Sequence, residues 1–236
     1  MHWLWPPADL ELADDEVHVW RVGLERPFDT FWPLLTAEEQ ARADRFHFAR
    51  DRRRYIVGRG AVRTVLGRYL GVDPAALVLD VTKFGKPFLV NHALQFNLSH
   101  SQEVGLLAVC RGSVVGVDVE EKRPLSDLHS LASHVFSPAE LQTLHALPPA
   151  QQPDGFFNAW TRKEAFIKAV GEGFSYPLKK FAVTLAPGDP AQIIQVQGST
   201  EAATAWNLYL LPPLPGFASA LVIKAGNWRL SCWQFG

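Results

Sequence analysis

Residues 114–120 have the sequence VVGVDVE, in which two carboxylates stand inside a run of β-branched residues. Successive side chains of a strand point to opposite faces, so we expect Asp118 and Glu120 to share one face while the valines between them enter a core. Neighbouring like charges cost energy unless a cation lies beside them, and Mg²⁺ prefers such oxygen ligands. The stretch therefore predicts a strand with a metal-binding face; the alternative is an ordinary polar face on an edge strand.

A second informative stretch is 160–168, with the sequence WTRKEAFIK. Trp160, Glu164 and Lys168 recur every four residues and form one stripe of a helix. Glu164 and Lys168 could be an ordinary surface ion pair, but the tryptophan on the same stripe indicates that this face is partly covered. Three carboxylates that can converge, with lysines beside them, suit a hard divalent cation that holds a phosphate ester.

Hydrophobic periodicity and capping signals predict helices and strands over the rest of the chain. Thr36 with Glu39 and Ser137 with Glu140 have the spacing of capping boxes at helix starts. Helices are expected near 37–46, 50–70 and 155–170, with a further one after Ser137. Strands are expected near 17–22, 78–82, 96–100, 104–110, 113–120, 180–185, 191–196, 204–211, 217–224 and 228–234.

A faint internal repeat links the two halves of the chain. A capped helix followed by a long helix occurs twice, at an offset of about a hundred residues. We therefore expect an α+β fold of two similar lobes related by a pseudo-twofold axis, each an antiparallel sheet packed with a long helix. The boundary near 111–113 gives an N-terminal lobe of residues 1–112 and a C-terminal lobe of residues 113–236, with a ligand cleft between them.

Composition narrows the class of protein. The 236 residues carry a formal net charge of −1, which gives no reason to expect nucleic-acid binding. Cys110 and Cys232 suggest neither a disulfide framework nor a metal knuckle, as is typical of the reducing cytosol. The N-terminus lacks the features of a signal peptide, and prolines interrupt the apolar stretch 205–223 too often for a membrane span. We expect a cytoplasmic monomer that binds no nucleic acid and no membrane, since one chain already supplies both halves of the cleft.

Arginines are crowded in one region despite the neutral overall balance. They form either a solvated helix face or an anion site, in which guanidinium forks bind a phosphate-rich ligand. The members of this group are Arg42, Arg45, Arg50, Arg52, Arg53, Arg54, Arg59, Arg63 and Arg68.

Five short motifs carry a family resemblance. They are FGKP at 84–87, FNLSHS at 96–101, GVDVE at 116–120, FSPAE at 136–140 and WTRKEA at 160–165. Over roughly residues 36 to 177 the chain resembles the 4′-phosphopantetheinyl transferases, and specifically their two-lobed, Sfp-type branch. Five motifs in the expected order are far more specific than one short pattern.

The resemblance implies an Mg²⁺-dependent enzyme, with Mn²⁺ as the other candidate metal. Such an enzyme transfers the phosphopantetheine group of coenzyme A to a serine of acyl or peptidyl carrier proteins and releases 3′,5′-ADP. These carriers serve fatty-acid, polyketide and non-ribosomal peptide synthesis. The resemblance implies that Asp118, Glu120 and Glu164 bind the metal. It implies catalytic roles for Glu164, Lys168 and Glu140. The implied coenzyme A-binding residues are Arg42, Arg54, Lys86, Ser99, His100, Asp118, Lys163 and Lys168.

Two other classes of function stay open. One is a metal-dependent nuclease, because residues 120–122 have the Glu-x-Lys spacing of a nuclease core. Against this, Asp118 lies only two positions before that core, and no basic groove with interleaved aromatics is evident. The other is a catalytically decayed module that binds carrier proteins. A hydrolase dyad of Ser99 and His100 is excluded, since neighbours on a strand face opposite ways.

Overall fold

Eleven strands and six helices occur in the computed structural model, which describes residues 2–236 apart from the side chain of Phe174. The helices are α1 (Ala37–Ala43), α2 (Ala49–Leu70), α3 (Leu128–Val135), α4 (Pro138–Ala146), α5 (Gln152–Val170) and α6 (Thr200–Ala203). The strands are β1 (Glu16–Gly23), β2 (Leu79–Val81), β3 (Pro87–Leu89), β4 (Leu94–Ser101), β5 (Val104–Arg111), β6 (Val115–Glu121), β7 (Phe181–Val183), β8 (Ile193–Val196), β9 (Trp206–Leu210), β10 (Phe217–Lys224) and β11 (Arg229–Gln234). Each predicted helix and strand has a counterpart here, whereas the sequence pattern does not predict β3, α3 or α6.

The first sheet has the strand order β11-β1-β5-β4 and packs against α2. β1 pairs antiparallel with β5, and β5 pairs antiparallel with β4. β11 pairs parallel with β1, so this sheet is mixed and not wholly antiparallel as expected. The reason is that the end of the chain returns to the edge of the first sheet, and local periodicity carries no information about such a distant partner.

The second sheet, β6-β10-β9, is antiparallel and packs against α5. Gly116 permits very close packing, because a Cβ atom there would lie 2.1 Å from the carbonyl oxygen of Ala165 and 2.3 Å from the amide nitrogen of Ala169. The backbone of α5 therefore rests directly on β6. This contact brings Glu164 and Lys168 beside the carboxylates of the strand.

The remaining faces of the two sheets pack on each other and form a third core. Val19 and Leu106 from the first sheet meet Val117 and Leu221 from the second, and all four are fully buried. The valines of the 114–120 stretch therefore enter a core, as their alternation predicts.

β4 and β6 lie side by side where the two sheets meet. Side-chain oxygens of β4 accept hydrogen bonds from backbone amides of β6, in place of a ladder of hydrogen bonds between the two backbones. Asn97 Oδ1 accepts a hydrogen bond from the amide of Val117 at 2.8 Å. Ser101 Oγ accepts one from the amide of Glu121 at 3.0 Å. These two anchors hold the polar face of β4 against β6, with Ser99 between them.

The α+β fold is confirmed, with each of the two larger sheets packed against one long helix. The division into lobes of residues 1–112 and 113–236 stays a prediction, and β11 lies in the first sheet although it belongs to the second range. Within residues 2–236, none of the helices is both long and apolar enough to span a membrane.

Candidate active site

The junction of β4, β6 and α5 holds one predicted carboxylate in contact with a predicted lysine. Asp118 is only 2% exposed. Its Oδ1 atom accepts hydrogen bonds from Ser99 Oγ at 2.8 Å and from Lys168 Nζ at 2.6 Å. The Lys168 ammonium also donates to Ser99 Oγ at 2.8 Å. Three elements that are distant in the sequence thus meet at one carboxylate, whose other oxygen, Oδ2, is buried without a hydrogen-bond partner.

Glu164 belongs to the same electrostatic cluster and is 7% exposed. Burial raises the pKa of Glu164 to about 7; the charges of Asp118 and Glu120 add to the rise, and Lys168 opposes it. Burial also raises the pKa of Asp118, against the lowering effect of Lys168 and Ser99. The Oε1 atom of Glu164 is buried without a hydrogen-bond partner. The two carboxyl groups therefore resist ionising together.

Glu120 lies near the end of β6 and is half-buried, and each of its carboxylate oxygens has a donor. Oε2 accepts from Ser101 Oγ at 3.1 Å, and Oε1 accepts from Trp160 Nε1 at 3.3 Å. Neither contact was predicted from the sequence. A signal for them existed, since Trp160 shares the helical stripe of Glu164, and Ser101 lies two positions after Ser99 on the same face of β4.

The chemistry of these carboxylates fits a hard cation. As the side chains stand, no group of three or more His, Cys, Asp or Glu residues within 2–236 could hold a metal ion, and the Lys168 ammonium supplies the positive charge at Asp118. Asp118 and Glu164 nevertheless each present a buried carboxylate oxygen that lacks a partner. Together with Glu120 they are the oxygen donors that would hold a divalent cation.

A basic corner, formed by Arg54 and His100, lies next to Lys168. His100 is exposed and Ser99 is buried, as the alternation of a strand requires. Desolvation by the surrounding protein, followed by the charges of Lys168 and Arg54, lowers the pKa of His100. Arg54 Nε donates to Glu25 Oε1 at 2.8 Å, which holds the guanidinium at this corner. Two of the residues predicted to bind coenzyme A therefore lie together.

Lys86, also predicted to bind coenzyme A, is engaged by the backbone. Its Nζ atom donates to the carbonyl oxygens of Val115 at 3.0 Å and of Lys168 at 2.6 Å. Burial lowers the pKa of Lys86 to about 8. The lysine thereby ties the β2–β3 hairpin to the start of β6 and the end of α5. It also lines a cavity of about 210 Å³ together with Asn97.

Glu140 and Lys163 pair with each other inside the protein and are not brought to the junction. Both are at most 2% exposed, and Lys163 Nζ donates to Glu140 Oε2 at 2.7 Å. Glu140 also closes the capping box with Ser137 and accepts a hydrogen bond from the amide of Val183 at 2.9 Å. Consecutive residues of a helix differ in direction by about 100°, so Lys163 and Glu164 lie on different faces of α5.

Most of the crowded arginines bind the protein's own acidic groups. Arg59 and Arg63 both contact Glu39, at 2.6 and 2.8 Å. Arg42, predicted to bind coenzyme A, lies on α1 with its guanidinium carbon 5.5 Å from the centre of the Tyr55 ring. Further ion pairs join Arg50 to Asp51, Arg52 to Asp44, and both Arg53 and Arg54 to Glu25. Structural ion pairing therefore explains more of this group than an anion site does.

Known proteins of one family resemble this chain. The family model for the 4′-phosphopantetheinyl transferase superfamily matches residues 114–224, and that for the 4′-phosphopantetheinyl transferase N-terminal region matches residues 20–111. The 4′-phosphopantetheinyl transferase HetI of Nostoc sp. is 40% identical over 99% of this chain and 98% of its own length. A 4′-phosphopantetheinyl transferase of Bacillus subtilis is 34% identical over 71% of this chain and 76% of its own. A solved apo-ACPS structure from Chronobacterium ammoiniagenes matches with a TM-score of 0.37 and 21% identity, over 47% of this chain and 94% of that chain.

Proposed function

The chain belongs to the 4′-phosphopantetheinyl transferase superfamily, and from this membership we propose that it transfers the 4′-phosphopantetheine group of coenzyme A to a serine of an acyl or peptidyl carrier protein. The other product is 3′,5′-ADP. The observation that carries the proposal is the buried pair of Asp118 and Glu164, whose unpartnered oxygens accompany the Lys168 ammonium. A divalent cation and a phosphate ester together would balance these charges.

Asp118, Glu120 and Glu164 are the residues that would hold Mg²⁺, with Mn²⁺ as the other candidate. When bound, such an ion draws charge from phosphate oxygens and makes the phosphorus more electrophilic. Lys168 already places its charge beside Asp118. Its ammonium is therefore positioned to donate hydrogen bonds to phosphate oxygens on which negative charge develops during transfer.

Glu164 is the residue that we assign as general base. Burial raises the pKa of Glu164 to about 7 in the absence of a cation, and a bound cation would lower it again, so the carboxylate would be ionised and able to accept the proton of the carrier serine. The serine oxygen forms a bond to the β-phosphorus of coenzyme A. The bond from that phosphorus to the bridging oxygen breaks, and 3′,5′-ADP leaves with the electron pair. Because the carrier supplies the nucleophile, the chain needs no activated serine or cysteine of its own.

Arg54 and His100 are the proposed ligands of the nucleotide 3′-phosphate, with Ser99 beside them. An anion next to His100 would raise the pKa of its ring, so the imidazolium form would bind the phosphate. Arg42 is proposed as a further phosphate contact. Lys86 is proposed to shape the nucleotide side of the cleft through its two bonds to backbone carbonyls.

Glu140 and Lys163 have supporting roles in this proposal. Their buried pair joins α4 to α5, and Glu140 adds a bond to β7. The pair thereby fixes the rotation of the helix that carries Glu164. Neither side chain needs to contact coenzyme A for the reaction to proceed.

The partners follow from the reaction. We propose that the protein acts in the cytoplasm as a monomer, on carriers of fatty-acid, polyketide or non-ribosomal peptide synthesis. It needs neither nucleic acid nor a membrane. One chain contributes β4, β6 and α5 to the site, which supports a monomeric enzyme.

Intact-mass spectrometry of an apo carrier protein tests the proposal. The carrier is incubated with this protein, coenzyme A and Mg²⁺, and parallel reactions contain EDTA or lack coenzyme A. A gain of one phosphopantetheine, absent from both parallel reactions, is the expected result. No gain with several carriers, while the carriers still bind the folded protein, would instead identify a decayed binding module. Metal-dependent cleavage of nucleic acid without coenzyme A binding would identify a nuclease.

A further inference from the structure

Glu120 differs from the other two carboxylates in how it is held. Its Oε2 atom accepts from Ser101 at 3.1 Å, and its Oε1 atom accepts from Trp160 at 3.3 Å. Asp118 and Glu164, in contrast, each keep one buried oxygen without any donor. The position of Glu120 is thus set by neutral donors, and lone pairs remain free on both of its oxygens.

We propose that Ser101 and Trp160 are positioning residues, which fix the Glu120 carboxylate for cation binding. This inference rests on the proposed function, because it concerns the cation site of that same cleft. Partners that orient a metal-binding carboxylate typically contribute about tenfold or more to metal affinity. Neither residue needs to touch the cation or coenzyme A.

Both donors are themselves held in place. Ser101 Oγ accepts a hydrogen bond from the amide of Glu121 at 3.0 Å, so the hydroxyl proton is directed toward Glu120. The Trp160 indole lies nearly parallel to the Phe156 ring, with ring centres 6.4 Å apart and an interplanar angle of 8°. A donor that was free to rotate could not fix a half-buried carboxylate in this way.

The donors approach Glu120 from different elements. Ser101 comes from β4 of the first sheet, whereas Trp160 comes from α5, which packs on the second sheet. Glu120 therefore has both donors only when β4, β6 and α5 are docked together. The orientation of Glu120 in the cation site therefore depends on the packing of the two sheets and α5 at their junction.

The test uses Ser101→Ala and Trp160→Phe, each of which removes one donor and keeps most of the side-chain volume. Mn²⁺ affinity is measured without substrate, from the free-ion signal in electron paramagnetic resonance. We expect each variant to bind Mn²⁺ about tenfold more weakly than the unaltered protein. Ser101→Thr retains a hydroxyl and should restore most of the affinity.

Matched controls remove comparable hydrogen bonds in which Glu120 takes no part. Trp228→Phe removes an indole bond to the carbonyl of Lys224, and Ser133→Ala removes a hydroxyl bond to the carbonyl of Ser130. Neither control should change Mn²⁺ affinity. Thermal denaturation shows whether each variant is folded, and if Trp160→Phe is not folded, Ser101→Ala and Ser101→Thr decide the outcome.

Kinetics give a second readout that a merely structural role would not produce. The variants should lose kcat/KM for the carrier at limiting Mg²⁺ and recover it when Mg²⁺ is in excess. Unchanged Mn²⁺ affinity in both variants, or an activity loss that excess Mg²⁺ does not reverse, would overturn the inference. If the unaltered protein binds Mn²⁺ and the variants bind it more weakly, but no carrier is modified, the inference stands and the proposed function fails.

Discussion

Replacing Glu164 with glutamine is expected to stabilise the folded protein at alkaline pH, although it removes the proposed base. The folded-state pKa of Glu164 is about 7, against an ordinary value of 4.5. Between these values the folded protein binds more protons than the unfolded chain, so its stability falls as the pH rises through this window. The ionised carboxylate therefore lowers the free energy of unfolding. This destabilisation is absent below the ordinary pKa and is fully present above the folded-state pKa.

The pKa difference gives the size of this cost. Each pH unit corresponds to about 1.4 kcal/mol, so ionised Glu164 lowers the free energy of unfolding by about 3 kcal/mol at about pH 8. Glutamine has almost the same shape and carries no charge. Glu164→Gln should therefore gain about 3 kcal/mol at about pH 8 and much less at about pH 5.

Urea denaturation in EDTA, at about pH 5 and about pH 8, measures this effect. Glu201→Gln, on the exposed start of α6, serves as the matched control and should show no comparable dependence on pH. Excess Mg²⁺ should reduce the advantage of the variant, because a cation that binds the folded state stabilises the ionised carboxylate. An unchanged stability at about pH 8, or the same gain at both pH values, would refute the reasoning.

Three further predictions concern the packing of α5, the buried ion pair and the basic corner. Gly116→Ala should lower the free energy of unfolding in urea by more than about 3 kcal/mol, because the new Cβ atom would overlap the backbone of α5. Glu140→Gln should cost about 3–5 kcal/mol in the same assay, because the Lys163 ammonium is left buried without its carboxylate. Adding 3′,5′-ADP should raise the pKa of His100 by about one pH unit or more in an NMR titration, because the phosphate favours the charged ring.

Matched controls accompany these three measurements. Gly58→Ala should be tolerated, since the nearest atom to its new Cβ would be 3.6 Å away. Asp15→Asn breaks the exposed pair with Arg229 and should have far less effect than loss of the buried pair. The NMR signals of His129, on α3, should not respond to 3′,5′-ADP. If Gly116→Ala or Glu140→Gln is as stable as the unaltered protein, the corresponding prediction is contradicted. The third prediction is contradicted if 3′,5′-ADP leaves the pKa of His100 unchanged.

Local signals in the sequence were enough to predict the elements that carry the site. The capping boxes at Thr36 and Ser137 form as predicted, and Gly71 ends α2 in the left-handed conformation with φ 66°. The valines flanking Asp118 in β6 are buried in the core, as alternation requires. These features depend only on residues a few positions apart, which is the range over which periodicity and capping act.

Contacts between distant residues could not be predicted in the same way. Lys163 has the charge to bind a phosphate, but it can equally well pair with a carboxylate such as that of Glu140. The sequence does not show that these two residues lie close together in the folded protein. Arg63 is likewise neutralised by Glu39. The two donors to Glu120 come from separate elements, so only the assembled junction reveals them.

The most direct test of the central claim is the initial rate of holo-carrier formation by Asp118→Asn and Glu164→Gln, with Glu201→Gln as the control. Loss of the general base should reduce the rate by about 10²- to 10⁴-fold in Glu164→Gln. Asp118→Asn should also be severely impaired, since it removes the charge beside Lys168. Glu201→Gln should retain the rate of the unaltered enzyme. Unaltered rates in folded Asp118→Asn and Glu164→Gln would contradict the claim that this junction performs the transfer.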